Sequence, residues 1–262
     1  MKPLVAPIQL ITTRAHYTVK TFMARQDTLG LVLSGEKRLL QPHGEQSFSS
    51  GDLFVLERSA QIDVVNQPER GGYYRAQLIQ FSPELIDFFQ TMYPHLARSC
   101  VGDRLPTLNP HPLLLDAFRR SAARLENAPC SAELQHHWAL EMLLLLAERG
   151  IYFAGSQSLN WSDRVYRLMK GTPHSKWNLS SVAQHLLLSK STLQRRLSSE
   201  GTSLSECLSQ VRLDTALDLL QGTNNQIADI ASRCGYESHS RFGAAFKKRF
   251  GLSPSKIRLV AC

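Results

Sequence analysis

The sequence predicts an α+β protein with a strand-rich N-terminal part and an all-α C-terminal part. Over the first eighty residues, apolar and polar positions alternate in short runs, which is the pattern of β-strands. From Pro83 onward the apolar spacing becomes that of helices. The positive charge is confined to the second part: residues 1–159 hold 15 Lys or Arg and 15 Asp or Glu, whereas residues 160–262 hold 15 and 7. A block this basic favours a polyanionic partner.

Six segments of the first part alternate as strands do. Turn-forming pairs such as Ser34-Gly35 and Gly71-Gly72 separate several of them. Many short strands with close turns are typical of a sandwich or a small barrel. The predicted strands are residues 16–24, 29–33, 37–41, 53–56, 62–65 and 73–81.

Helices are predicted over residues 83–92, 111–127 and 131–153. The last of them contains a nearly continuous apolar run from Leu140 to Ala147, which has to be covered on several sides. It is either a core helix or a helix that pairs with its copy in a second subunit. The sequence does not separate these two interpretations.

The chain is long enough for two domains, and its 43% of hydrophobic residues can build a core in each. A small, polar segment, Gly155-Ser156-Gln157-Ser158, has the composition of a linker and immediately precedes the basic part. We therefore expect a first domain over residues 1–154, a linker over 155–162 and a second domain over 163–262.

Several classes of protein are disfavoured. The five cysteines are at least 27 positions apart, which fits neither a disulfide framework nor a zinc site. Polar residues such as Gln9 and Arg14 interrupt the N-terminal apolar stretch before it could form a signal peptide, and no run is long enough to span a membrane. We expect a cytoplasmic protein with no cofactor and no membrane partner.

One pattern occurs twice in the basic part. An alanine, Ala183 or Ala231, is followed six or seven residues later by a serine, Ser189 or Ser238, and apolar residues then follow four and eight positions on. The alanine allows close helix packing, the serine caps a second helix, and Gly235 supplies a flexible backbone in the second turn. This spacing predicts two helix-turn-helix units.

The second helix of each unit exposes polar and basic side chains. Gln and Arg are suited to bidentate contacts with adenine and guanine. Two ordinary helical hairpins are the alternative, but the repeated spacing inside the only basic region disfavours it. The predicted DNA-binding residues are Lys190, Ser191, Thr192, Gln194, Arg195 and Arg196 in the first unit and His239, Ser240, Arg241, Lys247 and Lys248 in the second.

Between the units, residues 203–221 predict a helix that ends at Gly222. A helix of this size spans about 27 Å. It could present two recognition helices roughly one DNA turn apart, about 34 Å, to successive major grooves.

The stretches WNLSSVAQHLLLSKSTLQRRLSSEG, RLDTALDLL and IADIASRCGYESHSRFGAAFKKRFGLSPSKIR resemble the DNA-binding domain of the AraC/XylS family of transcription regulators. The resemblance covers about the last ninety residues. It implies seven helices, binding near promoters as a monomer or dimer, and RNA polymerase as a partner. Because the family consists mostly of activators, an activator is expected. By position, the base-reading residues would be Ser191, Gln194, Arg195, His239, Ser240 and Arg241.

The sequence departs from this family in both units. Many members carry a bulky polar or basic residue where this chain has Gly243-Ala244-Ala245, and the first unit has Leu186-Leu187-Leu188 in place of a turn glycine. From the small residues in the second unit, we expect the first unit to do most of the sequence discrimination.

In the same family, an N-terminal domain of this size is often a cupin-like β-barrel that senses an effector or pairs subunits. Barrel mouths hold small molecules readily. Four basic residues are candidates for binding an acidic effector, although each could instead be a surface charge: His16, Lys20, Arg25 and Arg75. Virulence-type members with this architecture are thought to bind fatty acids, so an acidic lipid is the first effector to test. The domain could instead respond to another protein.

Two other functions remain as alternatives. A cupin-type enzyme with an accessory nucleic-acid-binding domain would need several histidines and a carboxylate as metal ligands. The histidines are scattered, and His43-Gly44-Glu45 is more typical of a turn than of a metal site. An architectural or RNA-binding protein would use the basic part without sequence choice. We expect neither a metal nor an enzymatic activity.

Overall fold

The computed structural model describes residues 8–14, 16–41, 44–58, 60–96, 111–127, 131–155 and 159–261. The chain divides into two units, residues 1–158 and 159–262. The division falls inside the segment 155–162 that the sequence predicts as a linker.

The first unit contains two antiparallel four-stranded sheets. Their orders are β1-β8-β3-β6 and β2-β7-β4-β5. The predicted α+β class is therefore confirmed, and the described strands of the cupin-like domain form two sheets that do not close into one barrel. The strands are β1 (Gln9–Thr13), β2 (Tyr17–Met23), β3 (Asp27–Ser34), β4 (Glu36–Gln41), β5 (Gly44–Phe48), β6 (Leu53–Leu56), β7 (Gln61–Gln67) and β8 (Tyr74–Phe81).

All six predicted strands are present, whereas β1 and β5 were missed. Both lie at a sheet edge, where one side of the strand has no neighbour. In β5 only Phe48 is buried, so the strand lacks the apolar alternation that a sequence pattern detects. Part of the predicted turn before it, Pro42-His43, lies outside the described residues.

Three α-helices, α1 (Pro83–Met92), α2 (Pro112–Asn127) and α3 (Ala132–Ala147), follow the sheets, with a short 3-10 helix over Pro94–Leu96. They bury one face against the first sheet, in a core that includes Leu29 and Ile79. The side chains of Leu140, Leu144 and Leu145 pack against this core. The apolar run therefore belongs to a core helix.

Helix α3 ends at Ala147, although the sequence predicts a helix to residue 153. Gly150 adopts a positive φ of 74°, and the N–H of Ile151 donates to the carbonyl of Leu146 over 3.1 Å. This backbone reversal closes the helix. Ile151 and Phe153 then return to the core as extended chain.

The segment that leads into the predicted linker, together with Gly155, the first residue of that linker, is held on the first unit by hydrogen bonds. Gln90 Nε2 donates to the carbonyl of Phe153 over 3.0 Å. Arg58 Nη2 donates to the carbonyls of Ala154 and Gly155, both over 3.1 Å. The linker therefore begins from a fixed point.

A lysine is buried between the two sheets. Lys37 is 3% exposed, and its Nζ donates to Asn66 Oδ1 over 2.8 Å. Asn66 Nδ2 in turn donates to the hydroxyl of Tyr17 over 2.9 Å. The amine lies 5.0 Å from the ring centroid of Phe54 and 5.4 Å from that of Tyr74, both on the opposite sheet. Burial lowers the pKa of Lys37 to about 7.

The second unit is helical, and its described residues form the seven helices that the family resemblance implies. Both halves have their own buried core, with Val165, Val182 and Leu193 in one and Phe242 and Phe246 in the other. The helices are α4 (Trp161–Lys170), α5 (Leu179–His185), α6 (Lys190–Ser199), α7 (Leu204–Gly222), α8 (Ile227–Arg233), α9 (His239–Phe250) and α10 (Pro254–Ala261).

Candidate nucleic-acid interface

Two helix-turn-helix units are present, α5 with α6 and α8 with α9. Ala183 and Ala231 are buried where the helices of each pair meet. Ser189 Oγ accepts the N–H of Thr192 over 3.1 Å, and Ser238 Oγ accepts the N–H of Arg241 over 3.4 Å. The predicted serine caps are thus confirmed, and each fixes where a recognition helix begins.

The two turns have the same backbone hydrogen bonds. In the first, the N–H of Leu188 donates to the carbonyl of Ala183 over 2.8 Å. In the second, the N–H of Tyr236 donates to the carbonyl of Ala231 over 2.9 Å. The first turn therefore closes in the same way without a glycine.

Helix α6 buries Leu193 and Leu197 and exposes its opposite face. Ser191, Gln194 and Arg195 are exposed on that face at helical spacing, and Lys190 is exposed beside them. These side chains form a polar, basic row that nothing in the described part of the second unit covers. Thr192, which was also predicted to bind DNA, is half-buried, and its hydroxyl lies 2.8 Å from the Ser189 hydroxyl at the cap.

The sixth candidate of this helix, Arg196, has a different environment. Its guanidinium carbon lies 3.9 Å from the ring centroid of Trp161, the first residue of α4, and the side chain is half-buried. A guanidinium over an indole face is held by a cation–π interaction. The structure therefore places Arg196 away from the exposed row, against the start of α4.

Glu200, which the sequence analysis did not single out, reinforces this contact. Its Oε1 accepts the N–H of Trp161 over 2.6 Å, and its Oε2 accepts the N–H of Ser162 over 2.8 Å. A carboxylate at a helix N-terminus satisfies free N–H groups and complements the helix dipole. The C-terminal end of α6 is thus attached to the N-terminal end of α4, which begins at Trp161, inside the segment 155–162 that the sequence predicts as a linker. No sequence pattern reports a pairing across this separation.

Helix α9 exposes the five predicted residues of the second unit: His239, Ser240, Arg241, Lys247 and Lys248. The opposite side is an aromatic core, in which Phe246 lies 5.6 Å from Phe242 and 4.5 Å from Phe250 between ring centroids. On the exposed face, Ala244 occupies the turn between Ser240 and Lys248. The middle of this surface therefore has no side chain that can make a bidentate hydrogen-bonded contact with a base.

Each unit also buries one free thiol. Cys207 lies in the core beside the first helix-turn-helix unit and Cys234 in the core of the second helix-turn-helix unit, and both are buried. Burial raises the pKa of the Cys234 thiol to about 11, although Arg212 partly opposes this shift. A thiol with this pKa is protonated and unreactive at neutral pH.

The structure describes the side chains of three of the four effector candidates, His16, Arg25 and Arg75. His16 and Arg75 are exposed, and Arg25 is half-buried. Lys20 lies on β2, but its side chain is outside the described residues. A small apolar recess between α1 and residues 151–153 is lined by none of the four. Among the described side chains of this unit, the buried basic one is Lys37, which was not among the predicted effector residues.

Among the described residues, no three His, Cys, Asp or Glu side chains come together as a metal site would require. No helix in the same ranges has the length and apolar character needed to cross a membrane.

Two capped recognition helices with exposed polar rows, in one basic unit, define a DNA-binding protein of the helix-turn-helix class. Residues 182–259 match the family model described as "Helix-turn-helix domain". The chain is 34% identical over 233 residues to the HTH-type transcriptional regulator GadX of Escherichia coli O6:H1, covering 84% of this chain and 81% of that one. It is 24% identical over 232 residues to the virulence regulon transcriptional activator VirF of Shigella flexneri, covering 87% of each.

The fold of the whole chain also has a solved counterpart. A crystal structure of ToxT from Vibrio cholerae covers 97% of this chain and 98% of that one with a TM-score of 0.74, at 15% identity. This chain belongs to the AraC/XylS family of transcription regulators. It is a DNA-binding regulator, and the alternative of a cupin-type enzyme is not supported.

Proposed function

We propose that this protein activates transcription by reading two successive major grooves at its target promoters, with helix α6 supplying most of the base discrimination. The observation that carries the proposal is the contrast between the two exposed rows. Gln194 and Arg195 lie side by side on α6, whereas the row on α9 is interrupted by Ala244. Long amide and guanidinium side chains can form bidentate contacts with base edges, and an alanine cannot.

Each candidate side chain has a role that suits its position. Ser191, Gln194 and Arg195 contact bases from α6, and His239, Ser240 and Arg241 do so from the N-terminal turn of α9. Lys190, Lys247 and Lys248 contact phosphates, because an exposed ammonium group pairs with phosphate without sequence preference. Thr192 and Arg196 support DNA binding indirectly, by fixing the start of α6 and its attachment to α4.

The proposed activation acts through contact with RNA polymerase, so we include polymerase and promoter DNA as partners and the cytoplasm as the location. The name of VirF, a transcriptional activator, supports this direction of regulation. We also propose a homodimer formed through the first unit. Four large apolar side chains are exposed on its helices: Phe88, Met92, Leu113 and Leu134. Sedimentation of the full chain across a concentration series tests this; a monomer throughout would exclude the dimer.

The first unit, we further propose, binds an acidic lipid. A structure of ToxT with the same overall fold is described as bound to an unsaturated fatty acid. His16, Lys20, Arg25 and Arg75 are the candidate cationic groups. Thermal unfolding of the full chain with oleate, compared with oleyl alcohol at equal concentration, tests the proposal. An increase in Tm with the acid alone supports it, and equal shifts or none would overturn it.

The DNA proposal is tested by selecting bound duplexes from a random pool with the full-length protein. The selected duplex is then compared with a random duplex and with RNA of equal length, at 50 and 200 mM salt, because affinity without stated salt is not interpretable. The selected duplex should bind at least about a thousandfold more tightly than the random one. Equal affinities for all three would remove sequence-specific regulation and support an architectural or RNA-binding role.

Single variants give a matched control for this test. Gln194→Ala should lose discrimination between the selected duplex and duplexes with changed bases. Gln184→Ala removes the same side chain from an exposed position on α5 and should leave discrimination intact.

A further inference from the structure

Helix α7 connects α4, which shares a core with the first helix-turn-helix unit, to the second helix-turn-helix unit through one carboxylate. Asp214 lies on this helix, and its Oδ2 accepts the hydroxyl proton of Tyr166, on α4, over 3.2 Å. Its Oδ1 accepts a hydrogen bond from Arg249 Nη2, on α9, over 2.7 Å. The side chains of Arg249 and Asp214 are only 12% and 19% exposed. One side chain thus holds both halves of the DNA-binding unit.

A second bridge starts two residues earlier, at Arg212. Its Nε donates to the carbonyl of Pro173, after α4, over 3.0 Å. The same guanidinium lies against the turn of the second unit. A Cβ on Gly235 would come within 2.8–2.9 Å of it, and its carbon is 5.9 Å from the ring centroid of Tyr236. The arginine therefore fills the space that the missing side chain of Gly235 leaves open.

The two bridges leave α7 in different directions. Residues two positions apart on a helix point about 200° apart. A rotation of the second helix-turn-helix unit about the axis of α7 would therefore break at least one of the two bridges. Charge-assisted hydrogen bonds of partly buried groups are short and costly to break, because the separated charges would stay incompletely solvated.

We propose that Asp214 and Arg212 are positioning residues that fix the separation and angle of α6 and α9, and so set the base-pair spacing between the two DNA elements that the protein accepts. Neither residue has to touch DNA for this role. The proposal rests on the proposed function, because it assumes that both recognition helices read one duplex.

DNA geometry turns this into a measurable property. One inserted base pair moves the second element by about 3.4 Å and turns it by about 34° around the duplex axis. A reader with a fixed geometry then loses the contacts of one unit. A reader whose units can turn independently follows the displaced element and retains them.

The experiment uses the full-length protein and the duplex that it selects from a random pool. Binding is measured by fluorescence anisotropy with this duplex and with versions that have one base pair inserted or deleted between the two elements. The wild-type protein should bind the altered duplexes at least about tenfold more weakly. Asp214→Ala should narrow that loss in part, because the Arg212 bridge remains, and Asp214→Ala combined with Arg212→Ala should narrow it to below about threefold, because neither bridge is then left.

Asp229→Ala is the matched control. It removes the same charge from an exposed position on α8, and it should keep the wild-type penalty for altered spacing. A change in general affinity, which any lost negative charge produces, is thereby separated from a change in spacing tolerance.

Two milder variants cover the case in which Asp214→Ala does not fold. Tyr166→Phe deletes one hydrogen bond to Asp214 and keeps the buried ring, and it should relax the spacing penalty partially. Arg249→Lys keeps the charge and should retain most of the penalty. If the folded Asp214→Ala variant, or Tyr166→Phe in its place, keeps the full wild-type penalty, the positioning role is wrong while the DNA-binding function stands. If the wild-type protein selects no two-element site, the proposed function itself fails.

Discussion

Leu187 and Gly235 occupy the same position in the two helix-turn-helix units, four residues after the buried alanine, and both have a left-handed backbone, with φ values of 54° and 80°. Among the described residues, Leu187 is the sole residue other than glycine with a positive φ. Its side chain is 93% exposed, so packing does not compensate for the conformation. The left-handed region is unfavourable for a residue with a Cβ. The first unit therefore contains backbone strain that the second avoids.

Leu187→Gly should raise the free energy of unfolding by about 0.5–1 kcal/mol, because relief of the left-handed conformation exceeds the entropy cost of glycine. Urea denaturation of the full chain, followed by tryptophan fluorescence, measures this. Trp161 and Trp177 both pack against the core of the first helix-turn-helix unit, so their fluorescence reports its unfolding. An unchanged or lower stability would show that the turn is not strained.

The opposite substitution in the second unit should be unfavourable. Gly235→Ala places a Cβ in a left-handed residue and against the guanidinium of Arg212. We expect a loss of at least about 1 kcal/mol in the same measurement. A neutral result would indicate that Arg212 moves away without cost.

Gln194→Ala and Arg195→Ala should each reduce discrimination between the selected duplex and duplexes with single base changes by about 1–3 kcal/mol, the range of one bidentate base contact. Arg241→Ala should reduce it by less, because the exposed row of its helix is interrupted by Ala244. Anisotropy titrations over a panel of altered duplexes compare the three variants. Arg167→Ala, at an exposed position on α4, serves as the arginine control. Equal losses at Arg195 and Arg241 would contradict a dominant role for α6.

Arg196→Ala should affect stability more than base discrimination, unlike Arg195→Ala. Because the guanidinium of Arg196 lies over the indole of Trp161, its removal should lower the stability of the C-terminal unit, residues 159–262, by roughly 0.5–2 kcal/mol. Affinity should fall by a similar factor for the selected and the altered duplexes. A selective loss at one base position would instead identify Arg196 as a base-reading residue.

The free energy of unfolding of the N-terminal unit, residues 1–158, should depend on pH through Lys37. Its pKa is about 7 in the folded protein and 10.5 when exposed, so the unfolded chain binds more protons between these values. Stability therefore rises with pH in this window, by at most about 1.4 kcal/mol per pH unit, and the cost of burying the charge is fully present below pH 7. Urea denaturation at several pH values, followed by circular dichroism, should show this slope.

Lys37→Met should flatten the slope between pH 7 and 10.5, because no titrating amine remains. The control Lys176→Met removes an exposed lysine of the second unit and should leave the slope unchanged. If the wild-type protein and Lys37→Met have parallel pH profiles, the amine is not titrating in this range.

The elements that depend on local spacing were predictable from the sequence. The serine caps at Ser189 and Ser238 follow from residues three or four positions away, and so do the exposed faces of α6 and α9. Features that depend on distant partners were not. Arg196 looks like a member of the exposed row until Trp161, 35 positions earlier, is placed beside it.

The same limit applies to the first unit. Lys37 shares an inward register with Leu39 on β4, but lysine is normally exposed, so the strand pattern alone does not predict that Lys37 is buried. Its burial depends on Asn66 and on two rings of the facing sheet. The bridge from Asp214 to Arg249 joins two helices whose relative placement no single-sequence pattern contains.

The buried thiols of Cys207 and Cys234 each report on the opening of the helix-turn-helix unit beside them, through the rate at which they are modified. An alkylating reagent reaches a thiol only when the unit around it opens, so the modification rate reports the free energy of that opening. In a variant whose other three cysteines are replaced by serine, mass spectrometry of the two peptides would time the two units separately. The protein thereby offers a way to learn whether its two readers open together or one at a time.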